Sequence, residues 1–115
     1  MKVACGTDII EIERVKESIE SVGEKFLKRV FTDKEIEYCE SKKAQKYQHY
    51  AGRFAAKEAL VKALGQGFTK YSFLDIEITN DELGKPTINF KGKKIDVSIS
   101  HEKHYAVAMV IIEEE

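Results

Sequence analysis

The stretch from Tyr47 to Leu64 constrains this chain more than any other, because as a helix it has almost no face to give to water. Alanines at 55, 56, 59 and 63 and the large apolar residues Phe54, Leu60, Val61 and Leu64 cover most of the cylinder. Only Gly52 interrupts it, and Gly65 and Gly67 end it. A helix apolar nearly all round is a buried one, so the rest of the chain must wrap it. Its few charges are spaced in fours: Arg53 with Lys57, and Glu58 with Lys62. That spacing puts each pair on one face. Two readings stay open: a surface stripe of ion pairs, or charges lining a cleft between closely packed neighbours.

What remains is enough for a single domain over residues 1–115. Lys2–Ile10 is apolar and β-rich, and reads as a strand that turns or starts a helix near Gly6 to Asp8. Ile9, Ile12, Val15, Ile19 and Val22 recur at threes and fours, which predicts an amphipathic helix ended by Gly23. A short helical piece covers Phe26 to Phe31. Thr32 with Glu35 three residues on is a capping-box pattern, opening a helix to about Ser41. After the long helix, Tyr71–Thr79 and Thr87–Phe90 read as strands around turn chemistry at Asn80–Pro86. Ile95–Ser100 and Tyr105–Ile112 make a hairpin about His101–His104, and Glu113–Glu115 is a solvated tail. The expected class is α+β, a strand and helices packed on an antiparallel meander.

Charge sets limits on partners. Nineteen Lys and Arg against twenty Asp and Glu leave a net of −1, which gives no electrostatic reason for nucleic acid or membrane as partner. The segment from Met1 to Ile10 is too short and too polar for a signal peptide or a membrane span. Cys5 and Cys39 lie at no metal or redox spacing, in keeping with a reducing cytoplasm.

Asp8, an acid inside an apolar run, reads as a helix N-cap or as a cation ligand. Together with Glu58 it would suit magnesium, which takes one or two protein carboxylates and leaves places for phosphates and water. Ser98-Ile99-Ser100-His101 reads as a strand end whose polar tips meet a phosphate or hydroxyl, or as an ordinary turn. Gly84-Lys85-Pro86 reads as a turn.

Taken in order, these segments resemble one family. Gly6-Thr7-Asp8-Ile9-Ile10-Glu11-Ile12-Glu13-Arg14, the helix Arg53-Phe54-Ala55-Ala56-Lys57-Glu58-Ala59 with Lys62-Ala63, then Gly84-Lys85-Pro86 and Ser98-Ile99-Ser100-His101 are similar to the motifs of the short, bacterial-type holo-acyl-carrier-protein synthases. The resemblance runs from Val3 to Ile112 and implies the 4'-phosphopantetheinyl transferase fold. It implies a magnesium-dependent enzyme of fatty acid biosynthesis that moves phosphopantetheine from coenzyme A to a serine of an acyl carrier protein, releasing adenosine 3',5'-bisphosphate. The alternative is a non-catalytic module that binds coenzyme A or a nucleotide.

Residue by residue, the resemblance makes Asp8 and Glu58 the magnesium ligands and sets Lys62 against the coenzyme A diphosphate. Arg53, Ser100 and His101 would hold the nucleotide end with its extra ribose phosphate, and Gly65, Gly84 and Pro86 would shape the pocket walls. Basic residues expected just before the central helix fall on Lys42, Lys43 and Lys46, with Lys46 assigned to the phosphate. Arg14 would meet an acidic helix of the carrier protein, joined by Lys25, Lys28 and Arg29. The family implies a homotrimer with sites between subunits.

Overall fold

A glycine with no room for a side chain fixes the centre of the fold. A Cβ on Gly6 would lie 1.9 Å from the Ala59 carbonyl oxygen and 2.9 Å from the Ala63 nitrogen. The first strand therefore crosses the long helix backbone to backbone. The computed structural model, which describes residues 2–65, 67 and 70–114, has this crossing at its core. Strand β1 (Lys2–Glu11) leads into helices α1 (Ile12–Val22), α2 (Glu24–Val30), α3 (Asp33–Glu40) and the long α4 (Lys46–Leu64). Strands β2 (Glu77–Asn80), β3 (Pro86–Asn89), β4 (Ile95–His101) and β5 (Tyr105–Glu114) follow.

The α+β class holds, but the strands divide in two. β1, β5 and β4 form one antiparallel sheet in that order, and β2 and β3 form a separate hairpin. β1 takes the free edge of β5 from Lys2↔Glu114 to Glu11↔Tyr105. Ten paired residues explain why no turn interrupts Gly6 to Asp8: every break there would cost ladder hydrogen bonds. Asp8 is thus in mid-strand and caps no helix; the cap position of α1 is Glu11. Ile9 falls on the helical repeat by coincidence and lies 63% exposed on the outer sheet face.

The inner face of this sheet packs on α4. Val97, Ala106, Ala108, Val110 and Ile112 are buried there with Ala55, Ala56, Ala59 and Leu60, so small helix residues face branched strand residues. On the other side, α1, α2 and α3 close over Tyr50 and Ala51 with Val15, Ile19, Phe31 and Cys39. Burial pushes the Cys39 thiol up to about 12, so it is an inert packing residue.

Thr32 and Glu35 form the expected capping box. Glu35 does more than cap: it is fully buried and its second oxygen accepts the Ile78 N–H at 2.8 Å. Lys57, fully buried as well, donates to Glu35 and to the Val30 carbonyl at 2.7 Å, and to the Phe73 carbonyl at 3.0 Å. This satisfied network stitches the α2 end, the α3 start and β2 to α4. Lys57 therefore lines no cleft. The stretch before β2 also departs from a strand, because Ser72 and Asp75 cap each other around a 3₁₀ turn at Phe73–Asp75.

Candidate active site

Alternation along β1 and the 3.6-residue period of α4 bring the N-terminal and central motifs together. Gly6 and Asp8 point to the helix side, and Glu58 and Lys62 lie one turn apart on α4. Lys62 Nζ donates to Asp8 Oδ1 at 2.9 Å and to the Thr7 carbonyl at 3.1 Å. Asp8 is the more sheltered partner, its side chain 16% exposed against 56% for Lys62. Burial first, and then the Asp8 charge, hold the Glu58 carboxyl above the usual range, with Lys62 opposing them. Two carboxylates and one lysine thus share one small region. The donor set is hard oxygen, short of the three ligands of a closed protein cage among the described residues. Such an open pair suits a cation that also takes oxygens from a phosphorylated substrate.

A second region forms around Arg53, about one and a half turns before Glu58 on α4. Arg53 is buried, its guanidinium 4.2 Å from the centre of the Tyr38 ring, and one of its terminal nitrogens donates to Asn80 Oδ1. Its Nε is buried with no partner among the described residues. A cavity of about 400 Å³ opens beside it, lined by Lys34, Tyr38, Lys42, Asn80 and Gly84 among others. Asp81 holds the wall in shape: its Oδ1 accepts from Leu83 and Lys85 N–H, both at 2.9 Å, while Gly84 takes a φ of 87°. Pro86 opens β3 opposite Asn80. Lys46 lies outside this cavity in an ion pair with Glu40 at 3.2 Å, whereas Lys42 lines it.

Ser100 and His101 end β4, and the His101 ring stands 6.0 Å from that of His49. Ser100 lies opposite Val107 on the outer sheet face. Gly65 ends α4 in the left-handed conformation at φ 77°, with its N–H bonded to Val61 and Lys62. Arg14, Lys25, Lys28 and Arg29 are all exposed; Arg14 lies 3.9 Å from Glu11, and Lys28 is paired with Asp33 at 2.8 Å. Arg14 also edges a small hollow with Phe26 and Phe54.

Tyr38 and Asn80 carry no sequence signal of a site. They come to Arg53 only because the capping network hangs α3 and β2 on α4.

A sequence model of the 4'-phosphopantetheinyl transferase superfamily matches residues 4–110. The chain belongs to that superfamily. Holo-[acyl-carrier-protein] synthase of Ruminiclostridium cellulolyticum is 52% identical, with 97% of this chain and 92% of the relative covered. That of Clostridium tetani is 49% identical over 100% and 98% of the two chains. Among solved structures, a holo-(acyl-carrier-protein) synthase of Bacillus anthracis in complex with CoA (3',5'-ADP) superposes with a TM-score of 0.87. It is 40% identical and covers 97% of this chain and 96% of its own. The Helicobacter pylori synthase in complex with coenzyme A gives 0.86 at 33% identity, over 95% and 99%. Within the phosphopantetheinyl transferases this chain therefore stands with the holo-[acyl-carrier-protein] synthases.

Proposed function

We propose that this chain transfers 4'-phosphopantetheine from coenzyme A to a serine of apo acyl carrier protein, leaving adenosine 3',5'-bisphosphate, in the service of fatty acid biosynthesis. The observation that carries the reading is the Asp8–Glu58–Lys62 group beneath a chain-long likeness to synthases solved with coenzyme A. The serine oxygen forms a bond to the phosphorus that bears the pantetheine, the bond from that phosphorus to the bridging oxygen breaks, and the serine proton leaves to a base. Glu58 is the candidate base by position. Lys62 is a point charge for the leaving phosphate, held ready by Asp8. Such transfers are catalysed chiefly by positioning and electrostatics.

Asp8 and Glu58 would hold magnesium, which when bound neutralises the diphosphate oxygens and aligns the leaving group. Arg53 and Lys42, with Gly84 as a wall, would form the nucleotide end, and Pro86 would fix the turn behind it; Lys42 is better placed than Lys46. The exposed Arg14, Lys25, Lys28 and Arg29 of α1 and α2 suit an acidic carrier helix.

The outer sheet face supports the homotrimer of this reading. Ile9, Tyr105, Val107, Met109 and Ile111 are all exposed on it, an apolar strip of the kind that marks interfaces. On α4, Arg53 precedes Glu58 by about one and a half turns and Lys62 by about two and a half, a spread that suits sites completed between subunits. No helix among the described residues is long and apolar enough to cross a membrane, and the two cysteines are unpaired; a cytoplasmic enzyme fits both. The test is chromatography of the nucleotide products. Adenosine 3',5'-bisphosphate should form only when coenzyme A, magnesium and apo carrier are all present, and its formation without carrier would contradict transfer.

A further inference from the structure

A row of cations and rings runs from the Arg53 cavity to the end of β4, and His49 stands in the middle of it. Arg53 lies on the Tyr38 ring at 4.2 Å, and Lys42 Nζ lies 4.8 Å from the same ring. The edge of that ring meets His49 at 5.6 Å, and His49 meets His101 at 6.0 Å. Arg53 and His49 come from α4, Lys42 from the segment before it, Tyr38 from α3 and His101 from β4. Three of the elements packed here bring a cation or a protonatable ring to one place, and the fourth supplies the ring they stack on.

The cavity lining carries Lys34, Lys42 and Arg53 against Asp81 and Glu82, an excess of one positive charge. Asp81 turns its Oδ1 to its own turn, and Glu40 is taken by Lys46 and the Tyr50 hydroxyl. Arg53 reaches an amide, not an acid, and keeps a buried Nε without a partner among the described residues. A net excess of positive charge about a cavity, with a buried donor left over, suits an anion.

We propose that His49 is a further phosphate-binding residue of the nucleotide site, closing with His101, Arg53 and Lys42 a cradle for the 3'-phosphate of adenosine 3',5'-bisphosphate. This rests on the nucleotide reading above and adds a residue and a proton to it. Half-buried and faced by Arg53, Lys42 and His101, His49 is held below the ordinary histidine range and is neutral in the empty site. A doubly charged phosphate reverses that balance, so the ring takes up a proton from solvent as the nucleotide binds. Binding then weakens as pH rises through the histidine range.

The test is calorimetry of adenosine 3',5'-bisphosphate with the full chain in magnesium at pH 6 and pH 8. Wild type is compared with His49→Phe, which keeps a ring against Tyr38, and with His49→Gln. The phosphate's own titration is common to all three proteins and cancels. Wild type should lose roughly tenfold more affinity than either variant across this range, and should alone show the extra proton in buffers of different ionisation heat. 5'-ADP, which lacks the 3'-phosphate, should give all three proteins the same slope. Equal slopes with the bisphosphate would overturn the role of His49 while leaving nucleotide binding intact. The same difference with 5'-ADP would overturn the assignment to the 3'-phosphate. No binding by wild type at either pH would overturn this inference and the nucleotide reading together.

Discussion

Lys62 Nζ stands 2.9 Å from Asp8 Oδ1 and ties the last full turn of α4 to the middle of β1. Without a cation, the lysine is the counter-charge that lets Asp8 and Glu58 sit close together. Lys62→Ala should therefore preserve or raise magnesium affinity while transfer falls, because the leaving phosphate loses its point charge. Asp8→Asn should lose both, with transfer down by about 100-fold or more. Metal titration beside a transfer assay checks the split; equal loss of magnesium affinity in both variants would contradict it.

The Glu58 carboxyl is held above its ordinary value by burial and by Asp8. A raised folded-state value means the native chain binds the proton more tightly than the unfolded chain. Ionising Glu58 therefore costs stability, and that cost grows as pH rises from the ordinary carboxylate range through the raised value. In chelator, Glu58→Gln should raise Tm at pH 7 relative to wild type and change it little at pH 4. Magnesium should raise the Tm of wild type more than that of the variant, read by thermal melts.

Gly6→Ala places a methyl 1.9 Å from the Ala59 carbonyl oxygen, where only backbone movement relieves the clash. Stability should fall by about 3 kcal/mol. Because β1 carries Asp8 two residues on, magnesium affinity should fall as well. Gly23→Ala, where nothing lies within 4 Å but φ is 78° and ψ −142°, should cost about 1–3 kcal/mol from backbone strain alone and leave magnesium binding unchanged.

Lys57 and Glu35 are both fully buried and paired at 2.7 Å. Lys57→Met leaves Glu35 as a lone buried charge and should cost about 3–5 kcal/mol. Adding Glu35→Gln removes that charge and should restore part of the loss, as read from denaturant melts. A double variant no more stable than Lys57→Met would show that the network's geometry, and not its charge balance, is what the fold requires.

Met109 and Val107 stand on the outer sheet face and are 51% and 37% exposed. Charged replacements there, Met109→Lys with Val107→Glu, touch no inner packing. They should convert the proposed trimer to a monomer by light scattering, and an unchanged mass would place the interface elsewhere.

The buried helix was legible because alanine and large apolar residues cover it on every side, and Thr32 with Glu35 announced their cap. Asp8 and Glu58 could be paired only through the family likeness, since nothing in their spacing says that β1 crosses α4 at Gly6. The long reach of β1 was hidden because pairing with β5, a hundred residues away, overrode the turn that Gly6 to Asp8 suggested. Local chemistry misled in the other direction before β2, where Ser72 and Asp75 made a capped turn out of an alternating stretch. Lys57 and Glu35 show the limit of charge spacing: two ordinary surface residues in sequence are the most deeply buried ions among the described residues.

The central claim is best tested by mass spectrometry of an apo acyl carrier protein incubated with this chain, coenzyme A and magnesium. The carrier serine should gain one phosphopantetheine group, and the gain should vanish with chelator and with Asp8→Ala or Glu58→Ala. A folded wild-type chain that modifies none of several carriers would contradict the account, as would Asp8→Ala and Glu58→Ala variants that modify them at the wild-type rate.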